Sequence, residues 1–82
     1  MQGLPKLLLH SKALAQLPPT GQRRDMLLKQ LRQIQVTPER GGDFQWSVFL
    51  APSPTQVTVV VGYAISWIIQ DGHISILDIR GQ

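Results

Sequence analysis

Gln56–Arg80 reads QVTVVVGYAISWIIQDGHISILDIR, two β-rich runs that meet across Gln70-Asp71-Gly72-His73. Asp71-Gly72 supplies the positive φ angles that a two-residue type I′ turn demands, and β-formers flank it, with Trp67, Ile68 and Ile69 before and Ile74, Ile76 and Ile79 after. A hairpin follows, and the rest of the chain must cover or extend it. Upstream, Val57, Val59 and Val61 alternate with Thr58 and Val60, and Ile65, Trp67 and Ile69 alternate with Ala64, Ser66 and Ile68. Two arrangements fit this run. Either two strands bend at Gly62-Tyr63, or one long strand carries a bulge at Gly62.

Going back to the start, Leu4–His10 reads as a short first strand with Pro5 near its beginning. Ser11 is placed to cap a short helix over Lys12–Leu17, with Ala13, Leu14 and Leu17 along one side. Pro18-Pro19 stops it, because a proline disfavours helix in the residue before it and neither ring has an amide to donate. A second helix is expected from Thr20 to about Gln35, with Leu27, Leu28, Leu31 and Ile34 as its apolar stripe. Pro38 and Gly41-Gly42 end the helical section and read as a mobile connection. Asp43–Leu50 reads as a strand with Phe44, Trp46 and Val48 on an inner, aromatic face, and Ala51–Thr55 as a turn-rich connector. With the one-long-strand arrangement the order is β-α-α-β-β-β, an α+β fold in which a helical hairpin packs on one face of a mostly antiparallel sheet.

The bulk numbers agree with one small domain spanning residues 1–82. A chain of 82 residues buries only about 60–65% of its unfolded surface, and 43% hydrophobic with 16% charged residues is a globular composition. With no cysteine there is no disulfide and no thiolate, so a reducing cytoplasm is the expected setting. The leucine run Leu7-Leu8-Leu9 is too short for a signal-peptide core, and Val57–Ile69 is too short and too interrupted to span a bilayer, so no membrane association is expected. His10 and His73 have no metal-binding spacing, and neither a metal nor another cofactor is expected. A net charge of +3 favours an anionic partner.

Ser11-Lys12-Ala13-Leu14-Ala15-Gln16-Leu17, then Val61-Gly62-Tyr63-Ala64-Ile65-Ser66-Trp67 and the closing Ile76-Leu77-Asp78-Ile79, resemble the helix start, the Gly-x-Tyr strand and the last strand of the RelE/ParE superfamily of small bacterial toxins. The resemblance covers nearly the whole chain. It implies a toxin-like component of a type II toxin–antitoxin pair, acting by ribosome-dependent mRNA cleavage or, as in a related branch, by inhibiting DNA gyrase. Its implied partners are a cognate antitoxin or another small protein, and the ribosome with its mRNA. Where the RNA-cleaving branch has arginines flanking the Gly-x-Tyr segment, this chain has Val60 and Ala64, and it ends Arg80-Gly81-Gln82 in place of Gly-His-Arg. With those departures, either other residues carry the chemistry or it has been lost, and the alternative to a toxin is a catalytically degenerate binding module of the same fold that docks a protein partner.

Three residues are candidates for catalysis. Arg80 offers a guanidinium that grips phosphate at two points, against its reading as a solvated arginine at a strand end. His73 offers an imidazole that titrates near neutrality, against its reading as a turn residue. Tyr63 offers a phenol beside Gly62, against its reading as a structural anchor. Lys29, Arg32, Arg23 and Arg24 are candidates for nucleic-acid binding from the polar side of the second helix, which is also where any surface helix keeps its charge. Trp46, Trp67, Phe44 and Phe49 have the type for base stacking but sit in alternating strands, which points to core.

Overall fold

The computed structural model describes residues 4–46, 54–60 and 62–81, with Trp46 by its backbone only. The connector over 51–53, Val48, Phe49 and the Trp46 side chain therefore lie outside the described residues. In chain order the elements are β1 (Leu7–Leu9), α1 (Ser11–Gln16), α2 (Gln22–Val36), a 3-10 turn (Pro38–Arg40), β2 (Phe44–Trp46), β3 (Thr55–Val60), β4 (Tyr63–Gln70) and β5 (His73–Gly81). The strands form one sheet in the order β1-β5-β4-β3-β2, parallel between β1 and β5 and antiparallel elsewhere. The fold is α+β, with both helices on one face of a mostly antiparallel sheet.

The valine-rich run forms two strands. Val60 pairs with Tyr63, and Gly62 at φ 79° lies in the bend, so among the described residues four strands follow the helices and Gly62 is a turn residue. The irregularity of the sheet lies elsewhere. Ser66 faces Asp78 and Trp67 faces Ile76, so Leu77 on β5 has no partner. This bulge turns Ile79 back to the side of Ile74 and Ile76, although Ile76 and Ile79 are three residues apart. The β4–β5 hairpin turns through Asp71 and Gly72 at φ 51° and 78°, as a type I′ turn requires.

Ala13 and Leu17, together with Leu27, Leu31 and Ile34 of α2, pack on Ile65, Trp67, Ile74, Ile76 and Ile79. Leu28 is 41% exposed and Leu14 59%, so each stands outside the stripe expected of its helix. The reason is angular: Leu27, Leu31 and Ile34 already fill the side of α2 that meets the sheet, and a residue one position on is turned by about 100°. The helix boundaries also differ from expectation. Ser11 is the first helical residue and His10 holds the cap position without a side-chain bond, while α2 starts at Gln22 behind Gly21 at φ 95°. Leu17, just before Pro18, is extended with ψ 135°.

β2 shows the opposite facing to the one expected. Phe44 pairs with Val57 on the face turned away from the helices and is 63% exposed. Gln45 takes the helix side, where its Oε1 accepts a 3.0 Å bond from Gln56 Nε2. The carboxamide pair holds this register, because Gln56 is buried and its amide needs a partner.

Candidate functional site

β5 carries two of the three candidate catalytic residues' neighbourhoods, at opposite ends. At one end Gly81 lies opposite Tyr63 and Arg80 opposite Ala64. Adjacent residues of a strand project from opposite faces, and Ile79 is in the core, so Arg80 leaves from the face turned away from the helices. Tyr63 leaves from the helix side, half-buried against the core, its ring lying over Gly81. His73 pairs with Gln70 beside the hairpin turn, about 20 Å along β5 from Arg80 at the usual rise per residue. Tyr63, Arg80 and His73 thus occupy two faces and two ends of the sheet.

Arg80 is engaged. Its Nε lies 3.5 Å from Asp78 Oδ2, and Lys12 Nζ lies 3.5 Å from Oδ1 of the same carboxylate. Asp78 is the recessed partner, with 18% of its side chain exposed against 72% for Arg80 and 65% for Lys12. A hydrogen bond from Gln16 does most to lower the Asp78 pKa below its ordinary value; burial opposes it, and Lys12 and Arg80 add to the lowering. Gln16 also accepts the Ile79 N–H at 2.8 Å through Oε1. β1 pairs with β5 only as far as Ile76, and beyond it this side chain takes the place of a neighbouring strand.

The basic residues of α2 have separate duties. Arg24 Nη1 donates to the Pro18 carbonyl at 3.0 Å and ties α2 to the double proline. Arg32 Nη1 reaches Gln35 Oε1 at 3.3 Å, and Gln35 Nε2 donates to the Pro5 carbonyl at 2.9 Å. Arg23 is exposed. Lys29 lines an open cleft of about 740 Å³ between α2, the segment Thr37–Asp43 and the Thr58–Val60 part of β3.

The cleft brings in a residue that the sequence reading passed over, Arg40, and its far wall is fixed. The Gly42 N–H donates to Gln56 Oε1 at 3.0 Å, and the Val59 N–H donates to Asp43 Oδ2 at 2.7 Å. A Cβ on Gly42 would stand 2.5 Å from the Val57 carbonyl oxygen, so only glycine allows this approach. The connection expected to be mobile is pinned to β3. Its sequence signal was Gln56, a polar residue in an apolar strand, which needs a buried partner.

Among the described residues no three His, Asp or Glu side chains gather. Among them, too, no helix is long and apolar enough to cross a membrane. No family model, characterised protein or solved structure matches the chain.

Proposed function

We propose that the protein is a RelE/ParE-like component of a bacterial toxin–antitoxin pair that keeps the toxin fold as a binding module and docks a second protein, such as its antitoxin, in the cytoplasm. One observation carries this reading: Arg80 lies beside Asp78, while Tyr63 stands on the other face and His73 at the other end of the strand. Cleavage at a ribose 2′-hydroxyl needs a base and a cation within hydrogen-bond reach of one phosphate. Spread as they are, these side chains serve no common phosphate.

The face of the sheet turned away from the helices supports docking. Phe44 at 63% exposure and Val59 at 42% present apolar surface on neighbouring strands, and among the described residues no strand pairs with the outer edge of β2. An edge with aliphatic and aromatic anchors beside it is a template for strand addition by a partner. The test is induced expression in a bacterial host together with capture of the neighbouring gene's product. Phe44→Glu is expected to weaken capture by about 30-fold, the loss of one aromatic anchor, and Arg80→Ala to leave it unchanged. Ribosome-dependent mRNA cleavage that disappears in Arg80→Ala would overturn the reading in favour of an active nuclease.

A further inference from the structure

We propose that the cleft between α2 and β3 is a binding site for single-stranded nucleic acid, with Lys29 and Arg40 holding backbone phosphates. The inference goes beyond the docking reading and uses a different part of the molecule. Two cations line the cleft, Lys29 from α2 and Arg40 from the 3-10 turn, and among the described residues neither forms an ion pair. Asp43, the carboxylate in the lining, is taken up by the Val59 N–H. The lining thus carries two cations against one carboxylate that keeps its charge, a net positive balance of the sign a polyanion requires.

Between the cations α2 presents carboxamides and a hydroxyl follows it. Gln30, Gln33 and Thr37 line the cleft, and groups of this kind offer donors and acceptors to base edges and sugars. A volume of about 740 Å³ is ample for nucleotide-sized ligands, and its open mouth lets a strand pass through instead of ending inside. The far wall is already fixed by the Gly42–Gln56 and Val59–Asp43 bonds, so binding orders little backbone. Arg23 lies seven residues before Gln30, two helical turns along the same side of α2, and extends the positive track toward the helix start. Arg32 is directed to Gln35, off the cleft.

The experiment is fluorescence anisotropy of the full chain with a labelled oligouridine of about ten nucleotides, a length within the site sizes of single-strand binders. Lys29→Ala with Arg40→Ala is expected to lower affinity at least tenfold at about 50 mM salt, and to reduce the slope of log K against log salt by about 1.4, two phosphate contacts' worth. Arg32→Ala is expected to stay within about twofold, because a screened surface charge contributes little. Gln33→Ala keeps the charge and is expected to weaken binding without changing the salt slope, which a purely diffuse attraction would not show. Circular dichroism melts of each variant establish that it is folded. Absence of binding by the folded wild type at low salt would overturn the proposal. Equal losses in Arg32→Ala and the double variant would overturn it as well, as would displacement of the oligonucleotide by polyglutamate at equal charge concentration, which would assign the cleft to an acidic protein. None of these outcomes depends on Phe44 or Arg80, so failure here leaves the docking reading standing.

Discussion

Gln16 joins α1 to the unpaired half of β5, and Gln16→Ala isolates that junction. The substitution removes the acceptor of the Ile79 N–H, a 2.8 Å bond beside a side chain that is 1% exposed, and it removes the donor to Asp78. A lost bond costs about 1 kcal/mol, and a buried donor left unpaired adds about 1–3 kcal/mol, so a loss of about 2 kcal/mol is expected near neutral pH. In a domain of this size that lowers Tm by about 10 °C.

The pH dependence gives the sharper test. Asp78 has a lowered pKa in the folded state, so its contribution is present above the unfolded value, about 3.9, and is lost as pH falls through the folded value. Gln16 supplies the largest part of that lowering, so the gap between wild type and Gln16→Ala should be constant above about pH 5 and narrow as pH falls through the unfolded value and below it. Gln16→Glu keeps an acceptor for Ile79 but sets a second carboxylate beside Asp78; it should be the worse variant at neutral pH and regain ground in acid. Melts followed by circular dichroism across that range are the assay. A loss under about 0.5 kcal/mol, or a gap that does not change with pH, would refute the reasoning.

Two further outcomes test the frame of the fold. Gly42→Ala must push the loop off the Val57 carbonyl and break the bond to Gln56, at a cost of about 2 kcal/mol in urea unfolding; a cost near zero would mean that the wall of the cleft is not pinned. Trp67→Phe, at a site with no exposure, leaves the Thr58 hydroxyl without its 2.9 Å donor and should cost about 2–3 kcal/mol. Adding Thr58→Val to that variant should recover about 1 kcal/mol by removing the orphaned group, and a strictly additive double-mutant cycle would contradict this.

Much of the fold was legible where one physical demand dominates. Asp71-Gly72 needed positive φ, Pro18-Pro19 could not stay helical, and Leu27, Leu31 and Ile34 share one side of a helix. The bulge at Leu77 was also written in the spacing of Ile74, Ile76 and Ile79, two residues and then three. Gly62 competes with it as a bulge site, because its positive φ serves a bend and a bulge equally well. The facing of β2 was not legible from its own residues. Phe44-Gln45-Trp46 alternates cleanly in either register, and the choice was made by Gln56, eleven positions after Gln45, whose buried amide needs that partner. The cleft escaped for the same reason, since Arg40 becomes its neighbour only once Gly42 is fastened to β3. As for Tyr63, Arg80 and His73, their order along the chain says nothing of which face each leaves from until the pairing of β4 with β5 is known.

The place of β5 in the sheet bears on how the chain folds as it is synthesised. β5 lies between β1 and β4, and three of its isoleucines sit in the core beneath both helices. A nascent chain that has released everything up to Gln70 carries the residues of α1, α2 and β1 to β4, but β1 has no neighbour to pair with and α1 no strand end to dock against. Cooperative packing therefore waits until His73–Gly81 has cleared the exit tunnel, and until then Leu27, Leu31 and Trp67 are open to chaperones. Such reliance on contacts between distant parts of the chain places folding on the slow side for a domain of this length.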